Sequence, residues 1–125
     1  MPTKNLWGDL SELEIVHTPR TLLEEQAAYL TSATESKIIG VVDVITSGRT
    51  FKFDLDIKVP FLNNYEFTIL RVTHGISLYP VSISSQLKIE NQKCDNEEEL
   101  EEVLETILSS KEMRDILANL LSLIS

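Results

Sequence analysis

Charged side chains that could take part in chemistry alternate with apolar ones between residues 51 and 59. Asp54 and Asp56 lie two residues apart, and Lys52 and Lys58 flank them. Because successive side chains of a strand point to opposite sides, these four groups should share one face of a sheet. Carboxylates are ligands for divalent cations, so this stripe is the first candidate for a metal site. The alternative interpretation is a solvated charged face.

The tripeptide Asp56-Ile57-Lys58, with Asp43 upstream, resembles the metal-binding core of the PD-(D/E)xK nucleases, which also begin with a helix and two strands. The resemblance covers residues 37–59 only. It implies that Asp43 and Asp56 would be ligands of one metal ion. The predicted strand order after this region lacks the later crossover helix and strand of that family, so it does not favour a nuclease.

A predicted hairpin over Lys37–Val59 also separates the two carboxylates. A two-residue turn at Ser47-Gly48 is favoured because glycine can adopt the positive φ that such turns need. It predicts apolar pairs that all lie on one face, namely Val44–Phe51, Val42–Phe53, Gly40–Leu55 and Ile38–Ile57. On the other face it puts Asp43 opposite Lys52 and leaves Asp56 about 13 Å further along. We therefore predict no metal site and no cofactor.

The histidines and the cysteine predict no catalytic residue. His17 and His74 have no spacing typical of metal ligands, and structural roles are predicted for both. Cys94 precedes a predicted helix, whose N-terminus would lower the thiol pKa, but Glu97 and its acidic neighbours have the opposite effect. The glycines are isolated, so they form no phosphate-binding loop, and no serine lies in a nucleophile motif.

Length and charge limit the possible classes of function. A chain of 125 residues with 42% hydrophobic content is typical of one soluble domain. Seven acidic residues and no basic residue lie between positions 95 and 105, so one helix carries most of the net charge of −9. Nucleic-acid binding would need clustered lysine and arginine instead. Since there is no apolar run near the ~20 residues of a membrane span and no signal-peptide core, we expect a cytoplasmic protein without nucleic-acid or membrane partners.

The order of predicted elements gives an α+β fold: an N-terminal helix, a four- to five-stranded antiparallel meander sheet, and a C-terminal helical pair packed on the sheet. Residues 1–125 form a single domain, in which residues 1–17 are an irregular or short-strand arm. Thr18-Pro19 begins the first helix, which should end near Glu35. Beyond the hairpin, strands are predicted at 65–73, at 76–83 and, more briefly, at 86–90. Two out-of-phase apolar stripes break the C-terminal helix at Ser109-Ser110, and Asp95 and Ser109 are the predicted caps.

The predicted sheet is apolar on both faces, which requires cover on both. One face carries the residues that we take as a candidate interface, namely Ile39, Val41, Ile45, Tyr65, Phe67, Ile69 and Leu78. In one arrangement the N-terminal helix covers one face and the C-terminal pair covers the other. In the alternative, all helices share one face and the second face binds a partner. The simplest such partner is another copy of the chain, which predicts a homodimer.

The acidic helix offers a second candidate surface, formed by Glu98, Glu101, Glu102 and Glu105. These carboxylates suit a solvated face near the positive end of the helix dipole. Alternatively, they would dock a basic partner protein. A nucleic-acid mimic would use the same carboxylates.

The sequence favours a small, acidic, non-catalytic protein that acts through protein–protein contacts, by masking or presenting a protein surface. Secretion chaperones and toxin-neutralising immunity proteins are comparable in size and charge alone. The alternative is a small-molecule-binding protein or metal-dependent enzyme with a pocket between the sheet and the helices. The residues that would contribute to that pocket are Asp54, Asp56, Lys58, Arg71 and Tyr79.

Overall fold

A computed structural model of the chain describes residues 3–87 and 91–125. Its helices are α1 (Pro19–Ala33), α2 (Glu97–Leu108) and α3 (Lys111–Leu123). Its strands are β1 (Ile39–Ser47), β2 (Thr50–Val59), β3 (Tyr65–His74), β4 (Val81–Ser85) and β5 (Gln92–Cys94). Short 3₁₀ turns occur at Leu10–Glu12 and Pro60–Leu62. Within the described ranges, no helix has the length and apolar character needed to cross a membrane.

The strands form one antiparallel meander in the order β1-β2-β3-β4-β5, so β1 and β5 are its edges. The predicted α+β fold is confirmed: an N-terminal helix precedes a five-stranded antiparallel meander, and two helices follow it. Each pair of neighbouring strands is antiparallel. This topology differs from the one that the nuclease resemblance implies, because among residues 3–87 and 91–125 no crossover helix joins consecutive strands.

The β1–β2 hairpin turns one residue later than predicted. Ser47 pairs with Thr50, so Gly48 and Arg49 form the turn, and Gly48 has a φ of 59°. Glycine is favoured at the first turn position because that position needs a positive φ. Each residue keeps its predicted face, but all the predicted pairs shift: Val44 lies opposite Phe53, Val42 opposite Leu55 and Gly40 opposite Ile57.

A bulge in β3 gives the sheet one apolar face rather than two. Leu55 pairs with Leu70 but Asp56 pairs with Thr68, so Ile69 is an extra residue in β3. An extra residue reverses the side to which the side chains beyond it point. As a result, residues from both sides of the bulge lie opposite apolar residues of β2, namely Tyr65, Phe67, Leu70, Val72 and His74. The prediction of two apolar faces assumed unbroken alternation, and it is wrong.

Strand β4 also starts later than predicted. Leu78 has a φ of 67° and precedes the cis Tyr79–Pro80 bond, so these residues belong to the loop between β3 and β4. The strand predicted at 86–90 lies partly outside the described residues. Gln86 and Leu87 form a bend, and the final strand is β5.

All three helices contribute to a core on one side of the sheet, which we call the helix-covered face. Helix α1 lies directly over β1, because a Cβ atom at Gly40 would come within 2.6 Å of Ala27 Cα. The other helices add Leu100, Leu104, Ile107 and Met113 to the same core. Their buried partners on the sheet include Phe53, Leu55, Ile57, Val59, Val72 and Ile83. The helices are therefore segregated to one face, as is usual for an antiparallel α+β domain.

The helices begin with the predicted capping chemistry, although two caps are shifted by one residue. Thr18 caps α1 as predicted, and its hydroxyl accepts a hydrogen bond from the backbone N–H of Thr21. Asn96 caps α2 in place of Asp95, and Ser110 caps α3 in place of Ser109. Either residue of each pair could cap, because both side chains can accept a hydrogen bond from the first helical turn. The predicted break between the last two helices is confirmed.

Residues 3–17 precede α1 and form a segment that we call the arm. Its large apolar side chains are all exposed, namely Leu6, Trp7, Leu10, Leu13, Ile15 and Val16. Local hydrogen bonds hold the shape of the arm. The Asn5 side chain accepts a hydrogen bond from the backbone N–H of Trp7 and donates one to the carbonyl of Gly8, and the Asp9 carboxylate accepts one from the backbone N–H of Ser11. The arm forms a 3₁₀ turn and no strand in its described part.

Candidate functional site

The face of the sheet opposite the helices, which we call the open face, carries most of the charged strand residues. Cross-strand pairs place on it Ile39, Val41, Asp43 and Ile45 of β1, Lys52, Asp54, Asp56 and Lys58 of β2, Glu66, Thr68, Arg71 and Thr73 of β3, Ser82 and Ser84 of β4, and Lys93 of β5. Residues directly opposite each other on antiparallel strands share a face. Apolar residues of the open face are thus concentrated on β1, and its centre is polar.

Asp54 is a buried carboxylate with a complete partner. Arg71 lies opposite it on β3 and donates two hydrogen bonds, from Nε at 2.6 Å and from Nη2 at 2.9 Å. This two-point contact satisfies both carboxylate oxygens and fixes the plane of the guanidinium. The strands supply the alignment, because alternation puts both side chains on the same side of neighbouring strands.

Asp56 lies two residues further along β2 and is equally buried, at 7% exposure, but it lacks such a partner. No described residue forms a hydrogen bond with its Oδ1 atom. Burial and then the contact with Asp43 raise the pKa of Asp56 to about 6, while a hydrogen bond with Thr68 acts in the opposite direction. Burial has this effect because it removes the water that stabilises the charged form.

The observed register brings Asp43 close to this group. Asp43 lies opposite Asp54, not Lys52, and Asp56 pairs with Val41 two positions away. The predicted separation of about 13 Å between Asp43 and Asp56 depended on the wrong turn, and it is wrong. Within residues 3–87 and 91–125, no three His, Cys, Asp or Glu side chains form a group that could hold a metal ion. The two carboxylates named by the nuclease resemblance are therefore neighbours without a third protein ligand of these types.

A polar cavity of about 300 Å³ lies beside the Asp54–Arg71 pair. Its lining consists of Asp54, Thr68, Leu70, Arg71, Ser84, Ser85 and Gln86. Hydroxyl, amide and carboxylate groups predominate, so the cavity suits a small polar molecule. The strongest hydrogen-bonding groups of this cavity are the Asp54 carboxylate and the Arg71 guanidinium, and they already bond to each other.

A second cavity lies on the other side of the sheet, between α1 and α3, and we call it the α1–α3 cleft. It has a volume of about 440 Å³ and is lined by Gln26, Ala27, Tyr29, Leu30, Ala33, Leu55, Ile69, Leu108, Met113, Arg114 and Leu117. Leu55 and Ile69 form its floor, and Ile69 is there because it is the extra residue of the β3 bulge. Among the described residues that line it, Arg114 alone carries a charge. Sequence reasoning missed Arg114, and the only signal for it was its position in the first turns of the helix that carries the second apolar stripe.

A third cavity, of about 500 Å³, lies between α1 and α2. Its lining differs from that of the α1–α3 cleft because it includes Glu101 and Glu105 beside Leu22, Gln26 and Arg114. All four residues of the predicted acidic surface, Glu98, Glu101, Glu102 and Glu105, are exposed on α2. The docking of a basic partner on them stays a prediction.

The residues of the predicted interface do not form one surface. Ile39, Val41 and Ile45 lie on the open face, Tyr65 and Phe67 lie on the helix-covered face, Ile69 lines the α1–α3 cleft and Leu78 is in the β3–β4 loop. The bulge and the positive φ of Leu78 cause this separation, because both interrupt the alternation on which the grouping was based. Ile45 is about two-fifths exposed, and Ile39 and Val41 are half-buried.

The histidines and the cysteine have positions that fit structural roles. Nε2 of His17 lies 2.7 Å from Glu25 Oε1 and Nδ1 contacts Glu97, so His17 joins the arm to α1 and α2. The hydrogen bonds with Glu97 and then Glu25 raise the pKa of His17. His74 is buried and contacts two phenylalanine rings. Burial raises the pKa of the Cys94 thiol, and the nearby Glu99 adds to that effect.

Comparison with known proteins finds no matching family model, no similar curated protein and no similar solved structure.

Proposed function

We propose that this chain is a non-catalytic interaction module that binds an apolar polypeptide segment in the α1–α3 cleft. The observation that carries this proposal is the cleft itself, an apolar cavity of about 440 Å³ whose floor is the sheet and whose walls are two helices. Binding cavities are typically lined by apolar side chains, with a few polar groups that set the orientation of the ligand. In this cleft Gln26, Tyr29 and Arg114 would have that second role.

The shape and the chemistry of the cleft both favour a polypeptide segment. Grooves between helices bind amphipathic segments by taking up apolar side chains at intervals of three or four residues. Leu30 and Leu117 face such a segment from opposite walls. The described lining contains one titratable cation, Arg114, and no carboxylate, histidine or cysteine, so it has no acid–base pair for catalysis.

Site-specific photo-crosslinking tests this function in the intact chain expressed in its host. A photoreactive amino acid replaces Leu117, which lines the cleft, and in a matched control it replaces Ala118, which is exposed on the same helix. We expect protein adducts from position 117 and few from position 118. Equal labelling at both positions, or labelling at neither, would contradict the proposal.

A second candidate function is the binding of a small ligand with a cationic group on the open face. Asp56 favours it, because a buried carboxylate oxygen without a hydrogen-bond partner gains most from a positively charged ligand. Asp43 is the neighbouring acidic group, and the polar cavity beside Asp54 is close by. This candidate keeps the possibility of a ligand-binding protein, at a different place from the pocket expected between sheet and helices.

A thermal-shift panel of divalent cations, polyamines and arginine derivatives tests the second candidate. A ligand that binds at Asp56 should raise the melting temperature of the wild-type chain and leave Asp56→Asn unchanged. Lys93→Ala is the control, since Lys93 is an exposed residue on a distant strand of the same face. A flat response of the wild-type chain to the whole panel would remove the candidate.

A further inference from the structure

We propose that the α1–α3 cleft receives the N-terminal arm of a second copy of this chain, so that two copies exchange arms. This inference rests on the proposed function and names the segment that the cleft binds. It joins two parts of the molecule that are each incomplete in the single chain: an arm with exposed apolar side chains and a cleft with an apolar lining.

The arm exposes large apolar side chains to water in the single chain. Trp7 is 81% exposed, Leu6 is 76% exposed and Ile15 is 95% exposed. Several large apolar side chains exposed together in one short segment are characteristic of a contact site rather than of a free surface. Only Leu10–Glu12 is a 3₁₀ turn in the free arm, but Leu6, Leu10 and Leu13 are spaced by four and three residues, so they would share one side if the arm became helical in the cleft. The arm therefore has the pattern of a segment that docks in a groove between helices.

The cleft complements the arm in size and in chemistry. A volume of about 440 Å³ is enough for one large aromatic side chain and a neighbouring aliphatic one. Trp7 is the largest apolar side chain in the arm, and tryptophan is the residue type that most often supplies the binding energy of such contacts. We expect Trp7 to enter the cleft between Leu30 and Leu117, with Leu10 or Leu6 beside it.

Charge selects this cleft over its neighbour. The arm is acidic, because Glu12 and Glu14 accompany Asp9 and only Lys4 opposes them. In the α1–α3 cleft the charged lining group among the described residues is Arg114, which forms none of the ion pairs found within those residues. Arg114 also lines the cavity between α1 and α2, but there Glu101 and Glu105 outnumber it and would repel an acidic arm.

The arm of the same chain lies outside its own cleft, which points to a second copy. His17 holds the base of the arm against Glu25, in the middle of α1, and against Glu97, at the start of α2. The cleft extends along α1 from Gln26 to Ala33, and no residue of the arm is part of its described lining. Each chain offers one arm and one cleft, so two copies related by a two-fold axis satisfy both and leave neither free. The resulting homodimer would differ from the one predicted from the sequence, because its contact is the arm and the cleft rather than a second face of the sheet.

Crosslinking between two different variants tests the exchange directly. One sample of the full chain carries Ser11→Cys, which leaves Trp7 in place, and the other carries Ala33→Cys at the exposed edge of the cleft; the two are mixed before a short bismaleimide is added. Cys94 stays in place because it is buried and its raised pKa keeps the thiol unreactive. We expect a covalent heterodimer from the mixture. Its absence would overturn the proposal, and so would a crosslink that forms only within a double variant of monomeric mass.

Solution mass gives a second readout that does not depend on crosslinking. The wild-type chain should be a dimer by size exclusion with light scattering, and Trp7→Ala should raise the dimer dissociation constant by about 30-fold or more. Arg114→Glu should weaken the dimer without any loss of apolar contact. Ile45→Ala, an exposed apolar change on the open face, should leave the mass unchanged. Trp7 is exposed in the single chain, so its loss should not unfold the protein.

The photo-crosslinking at position 117 and the solution mass together distinguish arm exchange from the proposed function on which it rests. Adducts between position 117 and another copy of the chain support both. Adducts with a different protein, from a chain that is monomeric in solution, would support the proposed function and overturn arm exchange. A monomeric chain without adducts would overturn both.

Discussion

The two faces of the sheet differ in how their buried side chains are stabilised. On the helix-covered face, Leu55 and Ile57 pack against helices and lose no hydrogen bond when water is removed. On the open face, Asp54 and Asp56 are as buried as core residues, but only Asp54 has a matched cation. Apolar burial stabilises by itself, whereas a buried charge needs a partner to avoid a net cost. The buried strand residues of the helix-covered face therefore all have suitable packing partners, whereas on the open face Asp56 is a buried carboxylate without a cationic partner in the described part of the chain.

The bulge at Ile69 shows how one residue produces this difference. Without it, Tyr65 and Phe67 would point to the open face, beside the carboxylates. With it, they point to the helices, and Ile69 itself becomes part of the floor of the α1–α3 cleft. One extra residue in β3 thus concentrates apolar side chains on one face and polar ones on the other.

The largest effect should come from crowding the helix-covered face at Gly40. In Gly40→Ala the new Cβ would lie 2.6 Å from the Cα and O atoms of Ala27, so α1 must move away from β1. We expect a loss of about 3 kcal/mol in the free energy of unfolding, measured by urea denaturation. Gly75→Ala is the control, because its new Cβ would meet nothing closer than 3.8 Å. Equal losses from the two variants would show that α1 is not packed as described.

The second largest loss of stability should come from breaking the Asp54–Arg71 ion pair on the open face. Arg71→Met keeps most of the side-chain volume but leaves buried Asp54 unpaired. We expect a loss of about 2 kcal/mol in the free energy of unfolding, below the value for a fully buried pair because the Arg71 side chain is 41% exposed. The double variant Asp54→Asn, Arg71→Met should recover most of the loss. No recovery would mean that the contribution of Arg71 is packing rather than charge.

Substitution of Asp56 should change the free energy of unfolding by less than the two preceding variants, and it should stabilise the protein rather than destabilise it. Its pKa in the folded chain, about 6, exceeds the ordinary value of 3.8. The folded state therefore holds the proton more tightly, so stability is greatest below about pH 4 and falls as the pH rises to about 6. Asp56→Asn should remove this slope and increase the free energy of unfolding at neutral pH by about 1 kcal/mol. Urea unfolding between about pH 4 and pH 7 measures both quantities.

Asp43 provides the control for that experiment. Asp43→Asn removes the acidic neighbour that contributes to the raised pKa of Asp56, so the pH slope should become smaller but should persist, because burial is the larger cause. A slope that is the same in the wild-type chain and in Asp56→Asn would show that another group is responsible.

The smallest effect should occur at His17, whose side chain is partly exposed. Its pKa is raised in the folded chain by Glu97 and Glu25, so its contribution to stability is complete below the ordinary value of 6.5. The contribution is lost as the pH rises through the raised pKa. Thermal unfolding should show wild type slightly more stable than His17→Gln at about pH 6 and equal to it at about pH 9. A constant difference would indicate that the ring acts without its charge.

Sequence patterns were sufficient where the deciding interactions are local. Alternation in β2 predicted which of its residues face the helices, because side chains of a strand point alternately to its two sides. The prediction that its charged side is solvated is wrong at Asp54 and Asp56, which are buried. Thr18-Pro19 predicted the start of α1, and the phase of two apolar stripes predicted the break near Ser110, because both depend on a few neighbouring residues. Together these patterns determined the element order and therefore the fold class.

Tertiary structure decided everything that depends on contacts between distant residues. Either Ser47-Gly48 or Gly48-Arg49 could form the turn, and the whole sheet, including the bulge at Ile69, selects the second. That choice of one position brings Asp43 to Asp54 and Asp56, which local patterns had separated. The α1–α3 cleft likewise requires two helices and a strand, whose residues are far apart in sequence, to meet at one place. Local patterns were enough for the order of the elements and for the faces of β1 and β2, whereas the faces of β3 and the contacts between side chains depend on how the elements pack.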